Sequence, residues 1–301
     1  MSEDDSSNVC LNAYTKYFDL KETKIIANNM VINYGENKFL DITIKDINNN
    51  PITNAEIILS INNNQKKLNT DNNGKARLSL KDYVASKINI NINYWGDKTY
   101  DYSQKKIIIT INKLPTTIKV YDFTYNDKYL KIDLKNGKNG IANKKIVVSI
   151  NNKKYYPITN KNGRATLNTN KKVFTGGSKI ICQFNGDTNY NPIKSNPNKV
   201  KPLVVKIGGV KSVYKTNEKV AIKLNKKISL KLKVTVSIKI SKSKSKSYTA
   251  YFKTKNGKAN INLYSKFKKN GLKKDYYPFS FSYINNNNIH VEKLQKSIKF
   301  K

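Results

Sequence analysis

The chain has 301 residues, 38% of them hydrophobic, and carries 57 Lys and Arg against 20 Asp and Glu, for a formal net charge of +37. Only Arg77 and Arg164 are arginines and only His290 is a histidine. Base and phosphate readout favours the planar guanidinium fork, so this composition argues against sequence-specific nucleic-acid binding while allowing salt-sensitive attraction to polyanions. A lone histidine makes multi-histidine metal sites unavailable and leaves Ser-His-Asp and Cys-His chemistry without support.

Residues 1–22 are polar and acidic, contain Cys10 and lack a basic region followed by an apolar run, so they are expected to be a loose tail without an export signal. Nowhere are there 18 consecutive apolar residues, and no membrane span is expected. From Lys24 the chain changes to short alternating runs. Leu40, Ile42 and Ile44 share one face of a strand, the turn Asn48-Asn49-Asn50-Pro51 leads to Glu56–Ile61, and Ile88, Ile90 and Ile92 line one face of 87–95. The same order returns in 116–121, 128–134, 145–150 and 178–184, where Cys182 reads as a small buried hydrophobe. Turns of Asn, Gly and Pro separate the runs, and no helical period is evident.

Two motifs turn this recurrence into a repeat. Asn73-Gly74-Lys75-Ala76-Arg77-Leu78 returns as Asn162-Gly163-Arg164-Ala165-Thr166-Leu167 and as Asn256-Gly257-Lys258-Ala259-Asn260-Ile261. Asn-Gly before alternating apolar residues predicts a two-residue type I′ turn with φ > 0 at both central positions. Tyr94-Trp95-Gly96-Asp97-Lys98-Thr99-Tyr100 returns as Phe184-Asn185-Gly186-Asp187-Thr188-Asn189-Tyr190. Tyr283-Ile284-Asn285-Asn286-Asn287-Asn288-Ile289 is the candidate for a third copy. The expected organisation is all-β, with three tandem immunoglobulin-like β-sandwich domains in an elongated array: 23–113, 114–201 and a divergent, strongly basic 202–301.

Charge is graded along these segments. Residues 1–113 hold 15 basic and 13 acidic side chains, 114–201 hold 17 and 4, and 202–301 hold 25 and 3. A codon bias toward AT-rich triplets explains an excess of Lys, Asn, Ile and Tyr, but not a gradient. The insert Ser241-Lys242-Ser243-Lys244-Ser245-Lys246-Ser247 reads either as a solvated cap on a long hairpin or as a lysine finger. In the second case Lys242, Lys244 and Lys246 are candidate polyanion contacts.

Asn-Gly-[Lys/Arg]-Ala-x-[Leu/Ile], followed some 20 residues later by aromatic-x-Gly-Asp-x-x-Tyr, resembles the immunoglobulin-like repeats of bacterial and archaeal adhesin-like surface proteins. Asp46-Ile47-Asn48-Asn49-Asn50-Pro51-Ile52 resembles a turn common in them. The resemblance implies a non-enzymatic segment at the cell surface or outside the cell that spaces and displays a binding region. It implies no cofactor or metal. The basic end would contact cell-wall polysaccharide or another surface polyanion, with host or neighbouring-cell surface molecules as further partners. An intracellular, non-specific nucleic-acid-associated protein is the alternative. Sandwiches similar to these sometimes carry a Lys–Asn cross-link promoted by a buried carboxylate, and Glu56 is the candidate for it.

Overall fold

The computed structural model describes residues 20–169 and 174–301. Most of the tail, including Cys10, lies outside the described residues. By contacts the chain forms two compact units: 1–115 together with 186–191, and 116–185 together with 192–301.

Unit 1 is a two-sheet sandwich. Thr23–Ile26, Phe39–Asp46 and Lys75–Ser79 form one sheet. Met30–Asn33, Ser103–Asn112, Lys87–Tyr94, Glu56–Ile61 and Asn64–Asn69 form the other. The first strand is split. Its first half runs antiparallel to Phe39–Asp46, and its second half crosses over to run parallel to Ser103–Asn112. This order, with the switch of the leading strand between sheets, is the immunoglobulin arrangement. Strict alternation explains the core: Leu40, Ile42 and Ile44 from one sheet meet Ile57, Leu59, Ile88, Ile90, Ile92 and Ile109 from the other, each at most 1% exposed.

Unit 2 contains the same strand order twice. In its first part Thr117–Val120, Tyr129–Asn136 and Arg164–Asn168 share a sheet, while Lys153–Tyr155, Val147–Ile150 and Lys179–Phe184 continue into the short pieces Ile193–Lys194 and Asn198–Lys199. Cys182 is fully buried there. In the second part Leu203–Gly208, Val220–Leu224 and Lys258–Ile261 form a sheet that also carries Ile289–Glu292. The other sheet runs Val213–Tyr214, Leu294–Phe300, Tyr276–Ser282, Lys231–Lys239, Ser245–Lys253. Phe267, Phe279 and Phe300 pack edge to face in the core between them, with the Phe279 centroid 6.0 Å from each of the other two. A short helix, Leu263–Phe267, interrupts the all-β pattern. Its signal is local: Asn262 Oδ1 accepts the Ser265 N–H at 2.8 Å as an N-cap, and Leu263 and Phe267, four apart, are both buried.

The Asn-Gly turns correct the sequence expectation in two of three cases. At Asn73-Gly74 and Asn162-Gly163 only the glycine has positive φ, +70° and +74°. The reason is an acceptor two residues before the Asn. Asp71 Oδ1 accepts the N–H groups of Asn73 and Lys75 at 2.8 and 2.9 Å, and Asn160 Oδ1 does the same for Asn162 and Arg164 at 3.0 Å each. These turns also carry the chain from one sheet to the other, so they do not close hairpins. The third copy does take the type I′ form, with Asn256 at +49° and Gly257 at +77°, closed by reciprocal Lys255–Lys258 backbone bonds.

A buried threonine explains the difference. Thr70, Thr159 and Thr254 are 2%, 1% and 1% exposed. Each hydroxyl accepts one backbone N–H, from Ala55, Lys144 and Leu230, and donates to a carbonyl, of Ile52, of Ile141 and, for Thr254, shared between Ile228 and Leu230. Thr254 stands one residue nearer its glycine than Thr70 and Thr159 do, so the third loop is shorter and must turn more tightly.

Candidate functional site

The outward face of the sheet built on Lys231–Lys239 gathers most of the surface chemistry of the basic segment. Alternation places Leu232, Val234, Val236 and Ile238 in the core and turns Lys231, Lys233, Thr235, Ser237 and Lys239 outward. Register then decides their neighbours. Ser237 pairs with Ser247 and Thr235 with Thr249 on one side, and Thr235 with Ser280 on the other. In the next strand Ser280 pairs with Gln295 and Pro278 with Ser297. The Thr235 and Thr249 hydroxyls lie 3.1 Å apart. The result is a shallow depression of about 450 Å³ lined by Thr235, Ser237, Ser247, Ser280, Gln295 and Ser297, with Pro278 among them.

Charge surrounds this hydroxyl floor. The five strands of the sheet contain Lys231, Lys233, Lys239, Lys246, Lys253, Lys296 and Lys299 and no Asp or Glu. Lys231 Nζ stands 5.0 Å from the centre of the exposed Tyr251 ring, and Lys299 Nζ 4.8 Å from that of Tyr276. Of the acidic residues of 202–301, Glu218 pairs with Lys211 and Glu292 with Lys206, each at 3.6 Å, while Asp275 stands at the edge of this face, where it accepts the Tyr276 N–H at 2.7 Å and lines a second depression with Ser237 and Lys239. Such a face attracts anions over a distance set by salt.

The three predicted lysines are not brought together. Lys242 and Lys244 sit in the turn that closes the hairpin, where Ile240 N–H donates to Lys244 O at 2.8 Å. Lys246 pairs with Ile238 and lies over Tyr248, on the side of the sheet opposite Ser245 and Ser247. The insert therefore lengthens the hairpin, and the outward lysines come from the strands flanking it. Sequence reading missed them because each strand shows only its own alternation, while the floor is made by register between four strands.

The arginines are committed to structure. Arg164 Nε and Nη2 grip Asp133 at 2.7 and 2.9 Å, and Tyr121 hydroxyl bridges both groups. Arg77 Nε holds Asp41 at 2.7 Å on the surface. Glu56 is exposed and ion-paired with Lys67 at 2.9 Å, which corrects the expectation of a buried carboxylate promoting a cross-link there. Burial pushes the Cys182 thiol up to about 12, so it is no nucleophile at neutral pH. Among the described residues there is no cluster of three metal-ligating side chains and no helix long and apolar enough to cross a membrane.

The third copy of the Gly-Asp turn is identified by its hydrogen bonds. Asp97 Oδ1 accepts the N–H groups of Thr99 and Tyr100 at 2.7 and 3.0 Å, and Asp187 Oδ1 those of Asn189 and Tyr190 at 2.9 Å each. Asn286 Oδ1 accepts those of Asn288 and Ile289, both at 2.9 Å.

No family model and no curated protein matches the chain. Among solved structures it is similar to a 1.5-MDa bacterial ice-binding adhesin at 12% identity and a TM-score of 0.30, over 94% of this chain and 99% of that one. It is similar to the Yersinia pseudotuberculosis adhesin InvE at 14% and 0.32, over 60% and 58%. It is also similar to invasin, a bacterial integrin-binding protein, at 12% and 0.34, over 93% and 59%. The strand order described above makes the chain an all-β, immunoglobulin-like repeat protein whose structural neighbours include bacterial adhesins.

Proposed function

We propose that the chain is a non-enzymatic, adhesin-like surface segment in which three modules, 23–113, 114–201 and 202–301, space and display a binding surface. The strand order that occurs three times supports the division, as does the recurrence of the buried threonine and of the turn held by Asp97, Asp187 or Asn286. The third module binds an anionic envelope polymer on the outward face of its larger sheet, with Lys242 and Lys244 at the hairpin tip as additional contacts. One observation carries this reading: a hydroxyl-lined face rimmed by lysines, on five strands that contain no Asp or Glu. Hydroxyls donate to carboxylate or phosphate oxygens, and lysines supply the long-range attraction.

The test is retention of the full chain on immobilised polygalacturonate against uncharged dextran over a salt series. Five outward lysines, Lys231, Lys233, Lys239, Lys253 and Lys299, with Lys296 opposite the buried Phe279, predict that log affinity falls by about 3 to 4 per decade of salt, taking about 0.7 per neutralised charge as for a flexible polyanion. Replacing Lys231, Lys233 and Lys299 by Gln lowers that slope by about 2. Retention on dextran equal to that on polygalacturonate, or a slope unchanged in the triple variant, would contradict the reading.

A further inference from the structure

Unit 1 carries a different surface, centred on the chain's only tryptophan. Because Tyr94 pairs with Ser103 and Asn93 with Gln104, Trp95 falls opposite Tyr102 where the two strands end. Their rings lie 5.3 Å apart between centroids with 37° between planes. Trp95 is 67% exposed and Tyr102 40%. The fold does not require this tryptophan. The neighbouring Tyr94 is the buried aromatic, 3% exposed, with its hydroxyl on Asp97 Oδ2 at 2.9 Å. The positions matching Trp95 in the other two turns hold Asn185 and Ile284.

Beside the rings the outward face is made of amides. Tyr102 hydroxyl donates to Asn93 Oδ1 at 3.3 Å, while the exposed side chains of Asn91 and Gln104 hold no hydrogen bond among the described residues. Of the charges beside the platform, Glu56, on the strand flanking Trp95, is paired with Lys67, and the exposed Lys106, opposite Asn91, and Asp101, next to Tyr102, are of opposite sign. An exposed aromatic pair with no described residue stacked on its outer face marks a contact surface. The amides beside it both donate and accept hydrogen bonds, whereas a polyanion needs donors alone.

The geometry points to a carbohydrate-binding site in which Trp95 and Tyr102 stack against the C–H face of a hexose ring and Asn91, Asn93 and Gln104 bond its hydroxyls. The ligand is an uncharged polysaccharide. This site is separate from the lysine-rimmed face and independent of its function.

The single tryptophan lets the test read this site alone. Adding hydroxyethylcellulose or galactomannan to the full chain produces a saturable blue shift of tryptophan emission, and either polymer cast in a native gel retards the protein equally at low and high salt. Trp95→Ala and Tyr102→Ala each weaken retardation about tenfold or more, while Trp95→Tyr keeps most of it. Both positions are exposed, so the three variants fold, which circular dichroism verifies. No response to either polymer, undiminished retardation of Trp95→Ala, or a response confined to polygalacturonate and lost in salt would each overturn the inference.

Discussion

The third Gly-Asp turn is a substitution already made within the chain, and it predicts how the first will respond. Asn286 holds the same two N–H groups that Asp97 holds. The bond to the preceding tyrosine reverses direction: Tyr94 hydroxyl donates to Asp97, whereas Asn286 Nδ2 donates to Tyr283 hydroxyl at 3.5 Å. Asp97→Asn therefore keeps the turn, with a loss below about 1 kcal/mol, whereas Asp97→Ala removes three bonds from a solvent-facing group and costs about 1–2 kcal/mol, as for an N-cap residue. Trp95, two residues away, reports the unfolding of unit 1 by fluorescence. With a urea slope of about 1 kcal/mol per molar for a unit this size, Asp97→Ala lowers the midpoint by about 1 to 2 M. Partial burial raises the Asp97 pKa, but the N–H groups of Thr99 and Tyr100 and the Tyr94 hydroxyl outweigh it and hold the carboxyl below 3.8. The charge contribution is thus complete above about pH 4 and is lost as pH falls through the folded value, so wild type and Asp97→Asn converge in acid. Equal destabilisation by Asn and Ala, or divergence at low pH, would refute the account.

Other parts of the framework make equally definite predictions. Thr70→Val keeps shape but orphans the Ala55 N–H and Ile52 carbonyl, costing about 1–3 kcal/mol by the same urea assay. Arg164→Ala destabilises its unit more than Arg77→Ala does, because Asp133 is 5% exposed whereas the Asp41 side chain is 65% exposed. The hydrogen bonds from Arg164, outweighing burial, hold the Asp133 carboxyl below 3.8. Its contribution is therefore present at neutral pH and fades below about pH 4, a dependence that thermal melts of Asp133→Asn should lack. In a Cys10→Ser chain, Cys182 resists iodoacetamide until urea unfolds the unit around it; rapid native-state labelling would contradict its raised pKa and burial.

Much of the scaffold was legible because alternation and turn residues are local signals. Ile88, Ile90 and Ile92 were placed on one face from spacing alone, and all three are buried. The type I′ assignment failed at Gly74 and Gly163 because a side-chain acceptor two residues before the Asn, not the Asn-Gly pair, sets those turns. The buried Thr70, Thr159 and Thr254 were missed because a threonine in a loop looks the same whether solvated or holding two loops together. The proposed binding face was half legible. Composition pointed to the basic segment and to Lys242, Lys244 and Lys246, but only cross-strand register could assemble Thr235, Ser237, Ser280 and Gln295 into one floor.

The proposed role depends on where the lysines are and not on how many there are, so two variants of equal charge decide it. One carries Lys231→Glu, Lys239→Glu and Lys253→Glu on the outward face; the other carries Lys38→Glu, Lys87→Glu and Lys105→Glu in unit 1. All six side chains are exposed. Binding of each full chain to polygalacturonate is measured by calorimetry at one salt concentration. The account predicts that the first variant loses binding and the second keeps it within about threefold, the difference being steered by local charge. Equal losses in both variants would show that only net charge matters and would contradict it.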